Sequence, residues 1–181
     1  HLTTRRQRQM CIRDSQSLHP DVPVMFTEGS VWGLNGDDNR RGFETVIQHL
    51  RNGATTYNAW VTMITQNPGE ANRGPYNRVG KVAPTMLIQE DGSSSEYYKT
   101  PEFWLMGQFS RFVRPGAVRI HSNYGSTQTV TNVAFLNPDG TYVLIVANSP
   151  GKRQPINVEF SNQHFSARIP AKSIATYRWT E

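Results

Sequence analysis

The chain has 181 residues and a formal charge of +5, with 36% hydrophobic and 18% charged residues. This length suffices for one domain or for parts of two, and the composition is typical of a globular protein rather than a disordered one. No apolar run approaches the ~20 residues of a membrane-spanning helix. The N-terminus lacks the apolar core of a signal peptide, and a single cysteine excludes an intramolecular disulfide.

The first fifteen residues differ from the rest of the chain. Residues 5–15 have no hydrophobic period and no turn residues, and their four Arg and one Asp supply +3 of the net charge. Read back into codons, this segment resembles the translated adaptor of a sequencing library joined to a truncated gene. We predict that residues 1–15 are adaptor-derived or a disordered tail, with a nucleic-acid-binding arm as the third alternative. Without them, little excess positive charge remains to favour nucleic acid as a partner.

An acidic residue closes the first strongly apolar stretch. Residues 21–26 read as a buried parallel strand, because Val24–Phe26 form an unbroken apolar run, and Glu28 and Gly29 follow. At the C-terminal end of a strand in a β/α barrel, a side chain points into the active site. A carboxylate there suits a glycosidase, which needs two carboxylates across the scissile bond. The alternative for Glu28 is a helix-entry or salt-bridge role.

A helix and a second strand follow this residue. A helix is predicted to end at Asn52-Gly53, because four apolar residues before it recur at helical spacing. Residues 55–64 are rich in β-branched and aromatic residues, which predicts a strand carrying Tyr57 and Trp60. Short connections make this a parallel β/α unit. The apolar positions of the helix are Phe43, Val46, Ile47 and Leu50.

The architecture changes near Pro115. A loop over 67–80, an extended segment over 81–89 and a polar turn over 91–95 precede a helix that starts at Thr100-Pro101 and runs to about Phe112. One side of this helix is predicted to hold Phe103, Met106, Phe109 and Val113. From Ala117 on, alternating apolar residues and a type I turn at 137–140 predict six short strands in an antiparallel sandwich. Arg111, Arg114 and Arg119, near the boundary, are predicted to form interdomain ion pairs.

From His19 to the C-terminus, which is about nine tenths of the chain, the sequence resembles glycoside hydrolase family 30, the group that includes the glucosylceramidases. Four stretches carry the resemblance, in the family's order. They are residues 19–30 around Glu28, Trp60 with the 67–75 loop, 97–102 with 107–117, and 137–141 with 174–179.

The resemblance implies the C-terminal part of a (β/α)8 TIM barrel followed by an antiparallel β-sandwich. Residues 16–115 would be the last β/α units of a truncated catalytic barrel, and residues 116–181 the C-terminal β-sandwich domain. The implied activity is that of a retaining β-glycosidase, glucosylceramidase-like, that cleaves a β-glucosidic bond by double displacement. A secreted or extracytoplasmic location is expected for the full-length parent.

The resemblance also assigns site residues. Glu28 matches the family's nucleophile, and Trp60 matches an aromatic side chain that lines the sugar subsite. Ser30 and Trp32 follow the nucleophile at the rim of the pocket and could contact sugar or aglycone. The alternatives are barrel packing for Trp60, and loop capping and surface cover for Ser30 and Trp32.

The second carboxylate of the family, its general acid/base, has no match in this chain. We therefore expect that residue to lie upstream and the chain to be inactive alone. The acidic residues compared with the family position are Glu44, Glu70, Glu90, Asp91, Glu96, Glu102 and Asp139. No cofactor and no metal are predicted, because there is no phosphate-binding glycine loop and the five histidines lack metal-like spacing.

The expected partner is a β-glucoside, glycolipid or oligosaccharide substrate, with no nucleic acid and no transmembrane segment. A β-1,6-glucanase or a β-xylosidase of the same family remains an alternative. A non-catalytic carbohydrate-binding β-sandwich is an alternative from another class, and it predicts coplanar exposed aromatic rings on a sheet face.

Overall fold

A computed structural model describes residues 2–29, 42–60, 62–65, 86–89, 95–125 and 128–181. The first part contains α1 (Leu2–Leu18), β1 (Val24–Gly29), α2 (Gly42–Arg51), β2 (Ala54–Ala59), β3 (Met63–Thr65), β4 (Leu87–Gln89), β5 (Tyr97–Lys99) and α3 (Pro101–Ser110). The second part contains β6 (Val118–Ile120), β7 (Thr131–Leu136), β8 (Tyr142–Asn148), β9 (Gln154–Phe160), β10 (Gln163–Ile169) and β11 (Ser173–Trp179).

Helix α1 covers the segment for which the sequence predicted a disordered or adaptor-derived tail. The structure differs from disorder here, because Leu2–Leu18 is helical. The physical reason is intrinsic propensity: arginine, glutamine, methionine and leucine are good helix formers even where no hydrophobic period exists. Ile12 is buried, whereas most of the other side chains between residues 10 and 18 are exposed. The origin of this segment stays a prediction.

The predicted strand–helix–strand unit is confirmed, but its first strand is not buried as predicted, since Met25 is 55% exposed. Strands β1 and β2 are parallel neighbours, and α2 connects them. The apolar face of α2 is buried as its spacing predicted, with Phe43, Val46 and Ile47 each less than 9% exposed. The helix ends at Arg51, and Gly53 adopts a φ of 103°, a conformation that glycine tolerates at a helix end.

The strand predicted over 55–64 is wrong in its extent. Strand β2 ends at Ala59, and Met63–Thr65 form β3 in a different sheet of order β3-β4-β5. The pattern of β-branched and aromatic residues continues across this break, so local composition could not reveal that the chain changes sheet. The predicted loop over 67–80 lies outside the described residues, as do most of the turn at 91–95 and of the extended segment at 81–89.

Helix α3 begins as predicted, with Thr100 at the N-cap and Pro101 at the first helical position. Its buried side chains are Glu102, Leu105 and Phe109, so the predicted apolar side is shifted. The shift arises because α3 packs against β11, where the hydroxyl of Thr176 donates to the Gln108 carbonyl oxygen at 3.2 Å.

The antiparallel β-sandwich predicted after Pro115 is confirmed. Six strands form a four-stranded sheet of order β11-β8-β7-β6 and a two-stranded hairpin of β9 and β10. The hairpin packs on one face of the sheet through a core of Ala134, Leu144, Val146, Ile156 and Ile169. Helices α2 and α3 pack on the other face through a second core that contains Ile47, Leu105, Phe109, Val133, Phe135, Val143 and Ile145. The four-stranded sheet is therefore covered on both faces, and one core joins the sandwich to the β/α unit.

The turn between β7 and β8 is attached to the end of α3. The Asn137 side chain donates to the Phe112 carbonyl oxygen at 3.0 Å and accepts from the Arg114 backbone N–H at 3.0 Å. Asp139 Oδ1 accepts from the hydroxyl and the backbone N–H of Thr141 at 2.6 and 3.0 Å. These two hydrogen bonds hold the pKa of Asp139 below its ordinary value.

A pH dependence of stability follows from this lowered pKa. A carboxyl whose pKa is lower in the folded state stabilises the fold above its unfolded pKa, about 3.9 for Asp, and loses that contribution as pH falls through the folded pKa. We expect Asp139→Asn to lower the free energy of unfolding relative to the wild type at neutral pH. This loss should become smaller as the pH falls and the wild-type carboxyl is protonated. Urea unfolding at a series of pH values measures it. A difference independent of pH would contradict the role of the charge.

The interdomain ion pairs predicted for the three arginines near Pro115 are absent among the described residues. Arg111 lies over the ring of Phe112, with Cζ 5.8 Å from the centroid. Arg114 contributes its backbone N–H to Asn137. Neutral hydrogen bonds and apolar packing join these elements instead.

Candidate functional site

Glu28 and Trp60 lie at the same edge of the parallel pair β1–β2. Glu28 is the penultimate residue of β1, and Trp60 directly follows β2. The backbone N–H of Trp60 donates to the carbonyl oxygen of Gly29 at 2.8 Å. This edge is formed by the C-terminal ends of both strands, where catalytic residues of β/α folds are found.

The side chains at this edge differ in exposure. Glu28 is exposed and makes no hydrogen bond or ion pair within the described parts of the chain. Trp60 is half-buried. An exposed carboxylate at this edge can reach a ligand that approaches from outside.

Three rings pack beneath this edge. Phe26 stacks on Tyr57 with centroids 4.8 Å apart, and the His49 ring lies 4.3 Å from Phe26 at a tilt of 52°. His49 is buried, and its Nδ1 lies 2.6 Å from the Thr45 carbonyl oxygen. Sequence reasoning treated the histidines as scattered and missed His49. Its position on α2 beside the buried apolar face was the available signal.

Gly29 is required by the ring below it. A Cβ at this position would lie 2.5 Å from Cε1 of Phe26 and 3.4 Å from the Tyr57 hydroxyl oxygen. Such a contact is far inside van der Waals distance, so any side chain would displace the Phe26 ring. The glycine thus lets β1 close over the three rings while Glu28 stays at the edge.

We expect Gly29→Ala to destabilise the fold by about 1–3 kcal/mol, as overpacking of a tight contact does. Gly107 in α3 is the matched control, because a Cβ there would meet no atom within 4 Å. Gly107→Ala should stabilise the chain by about 0.5–1 kcal/mol through helix propensity. Urea unfolding of both variants measures the two effects, and equal effects would contradict the proposed clash.

The other predicted site residues are placed as follows. Ser30 and Trp32 lie outside the described residues, as do Glu70, Glu90 and Asp91. Glu44 lies in the first turn of α2, and Glu102 is buried in the first turn of α3. Asp139 belongs to the turn before β8. The assignment of Ser30 and Trp32 to the pocket rim therefore stays a prediction.

Three aromatic rings of the sandwich, those of Tyr142, Phe160 and Trp179, do not form a flat exposed platform. Trp179 stacks on Tyr142 at 5.9 Å and 20°, but Phe160 meets Trp179 at 67°. All three rings are half-buried between the hairpin and the four-stranded sheet. A cleft of about 550 Å³ runs beside them, between β9 and the inner face of β6 and β7. These three rings thus lack the coplanar, exposed arrangement that is expected of a carbohydrate-binding module.

The described part of the chain has neither a metal-binding cluster nor a helix that could span a membrane. No group of three His, Cys, Asp or Glu side chains there is arranged to hold a metal ion. No helix in that part of the chain combines the length and the apolar content needed to cross a bilayer.

Comparison with known proteins identifies the sandwich and extends beyond it. Residues 116–177 match the family model of the glycosyl hydrolase family 30 beta sandwich domain. The chain is 30% identical over 172 residues to putative glucosylceramidase 2 of Caenorhabditis elegans, covering 91% of this chain and 33% of that protein. It is 32% identical over 159 residues to lysosomal acid glucosylceramidase of Mus musculus, covering 87% of this chain and 30% of that protein. The chain thus spans about a third of the length of these relatives.

A solved structure superposes on most of this chain. The endo-β1,6-glucanase superposes with a TM-score of 0.80 at 25% identity, over 96% of this chain and 39% of that one. The similarity therefore includes the β1–α2–β2 unit as well as the sandwich. The chain belongs to glycoside hydrolase family 30, and residues 116–177 form the β-sandwich domain of that family.

Proposed function

We propose that Glu28 is the nucleophile of a retaining β-glycosidase and that Trp60 lines its sugar subsite. The observation that carries this proposal is the juxtaposition of Glu28 and Trp60 at the C-terminal edge of a parallel strand pair in a family 30 chain. A carboxylate at such an edge faces the substrate, and an indole beside it can stack on the apolar C–H face of a pyranose.

The chemistry follows a double displacement. The Glu28 carboxylate attacks the anomeric carbon, the bond from that carbon to the aglycone oxygen breaks, and a glycosyl ester forms. The general acid protonates the departing oxygen. Acting next as a base, it takes a proton from water, which attacks the same carbon and releases Glu28. Configuration is retained because two inversions occur.

The barrel assignment supports this role. We propose that residues 16–115 are the last β/α units of a (β/α)8 barrel and that residues 116–181 complete the chain as the sandwich. In a closed barrel the other strands would surround the site. With two parallel strands alone, the Glu28 side chain is left exposed, as it is in this chain. The general acid/base is assigned to the part of the longer protein that this chain lacks.

We expect the 181-residue chain alone to be inactive. Without a proton donor about 5 Å from Glu28, the aglycone cannot leave at a useful rate. Release of nitrophenol from an aryl β-glucoside by the purified chain measures this. Measurable release would contradict the expected inactivity.

The proposed substrate class is a β-glucoside, with glucosylceramide first because both curated relatives described above are named for that activity. A linear β-1,6-glucan is the second candidate, since the superposed structure is an endo-β1,6-glucanase. A β-xyloside is the third candidate. Relative kcat/KM of the longer enzyme on the three substrates decides among them.

A further inference from the structure

Helix α2 lies between the sandwich and the strand end that carries Glu28. Its apolar face contributes Phe43, Val46 and Ile47 to the core shared with β7 and β8. On one side of that face, His49 contacts Phe26. On the other side, Gln48 and Arg51 reach the 121–124 segment that follows β6. A displacement of α2 would therefore change its contacts with β1 as well as those with the sandwich.

Among the described residues, the guanidinium of Arg51 makes most of the hydrogen bonds between α2 and the sandwich. Its Nη1 donates to the Ser122 hydroxyl at 2.8 Å and to the Asn132 carbonyl oxygen at 3.0 Å, and its Nη2 donates to the Ser122 carbonyl oxygen at 2.9 Å. Its Cζ lies 4.9 Å from the centroid of the Tyr124 ring. Gln48 Nε2 adds a hydrogen bond of 3.0 Å to the Tyr124 hydroxyl.

These contacts depend on geometry rather than on charge pairing. The oxygens that Arg51 contacts within the described residues are neutral, and Arg119 is a cationic neighbour. Burial, and then Arg119, lower the pKa of Arg51 from its ordinary value. A planar guanidinium suits this arrangement because its donors point in fixed directions, whereas the ammonium of lysine is a point charge on a flexible stem.

A continuous set of contacts leads from Arg51 to the candidate nucleophile. On α2, His49 packs against Phe26 and Tyr57. The Phe26 ring lies directly under Gly29, with no room for a Cβ between them. Gly29 follows Glu28 and accepts the Trp60 backbone N–H. Arg51 and His49 are joined through the backbone of α2, and ring contacts then lead from His49 to Phe26 and Gly29, so a shift of α2 moves the ring on which the strand end lies.

We propose that Arg51 is a positioning residue: by fastening α2 to the sandwich, it holds the β1 end that carries Glu28 against Trp60. An effect of Arg51 on catalysis rests on the proposed function of Glu28. The structural coupling between Arg51 and the strand end does not depend on that function. The sandwich then fixes the position of α2, and α2 fixes the position of the strand end.

The test is amide hydrogen exchange of the 15N-labelled chain, read at the Trp60 N–H. Arg51→Met keeps the apolar stem and removes every donor. Loss of several hydrogen bonds to a charged group is expected to speed Trp60 exchange at least tenfold. The hairpin β9–β10, which α2 does not support, should change by less than twofold. Amide chemical shifts of Gly29 and Trp60 should move in the same variant.

Two milder variants keep the test decisive if Arg51→Met does not fold. Arg51→Lys should protect Trp60 to an intermediate degree. Tyr124→Phe removes the hydroxyl that Gln48 contacts and should speed Trp60 exchange roughly threefold. Arg168→Met, an exposed change in β10, is the matched control and should leave Trp60 unchanged.

Equal acceleration of Trp60 and the hairpin would show that Arg51 contributes only global stability, and this would overturn the proposal. Unchanged Trp60 exchange in Arg51→Met would overturn it as well. Because exchange reports backbone protection and no turnover, these outcomes are independent of whether Glu28 is the nucleophile.

Discussion

Replacing Glu28 with glutamine in the longer enzyme is expected to lower kcat on an aryl β-glucoside by roughly four to six orders of magnitude, as removal of a nucleophile does. The amide keeps the shape of the side chain but cannot attack the anomeric carbon. Steady-state kinetics measure the loss. Glu159→Gln, an exposed change on β9, is the matched control and should leave kcat within twofold of the wild type.

Chemical rescue separates a nucleophile from a residue that merely binds substrate. In a Glu28→Gly variant, azide can enter the vacated space and attack the anomeric carbon of an activated β-glucoside. Only one inversion then occurs, so the product is the α-glycosyl azide, identifiable by NMR. Activity of Glu28→Gln within an order of magnitude of the wild type, or rescue that yields the β-azide, would overturn the assignment of Glu28.

Truncation of Ile47 is expected to give the largest loss of stability. This side chain has no exposed area and contributes to the core that α2 and α3 share with the four-stranded sheet. Ile47→Ala should lower the free energy of unfolding by about 2–5 kcal/mol, because it removes buried methylenes and leaves a cavity. Urea unfolding, followed by tryptophan fluorescence and far-ultraviolet circular dichroism, measures it.

The same experiment tests whether the sandwich is an independent unit. Ile145→Ala, on the sandwich side of the shared core, should cost a similar amount, and both variants should unfold in one transition. Val118→Ala, at a side chain that is 63% exposed, is the control and should stay within about 0.5 kcal/mol of the wild type. Two separate transitions, with Ile47→Ala affecting only one, would contradict a shared core.

Elements with a local signal were predictable from the sequence. The spacing from Phe43 to Leu50 located α2 and its buried face, and Gly53 marked its end. Alternating apolar residues, and apolar runs on either side of the 137–140 turn, located all six strands of the sandwich. The apolar run before Glu28 placed that carboxylate at a strand end, as found.

Elements that depend on neighbours distant in the chain were not predictable. Glu102 is a charged residue in the buried face of α3, and periodicity of apolar residues cannot select it. The boundary between β2 and β3 is set by pairing of β3 with β4, which lies more than twenty residues onward. Helix α1 consists of good helix formers without a hydrophobic period, so periodicity could not predict it.

The sequence by itself determined the family, helix α2, the strands of the sandwich and the strand end on which Glu28 lies, because these are encoded in patterns of residues close together in the chain. Only the tertiary structure decided that His49 lies beneath the site and that Arg51 binds Ser122, 71 positions away. Those contacts join surfaces that meet only when α2 is packed between two layers, and no local pattern records which surfaces will meet.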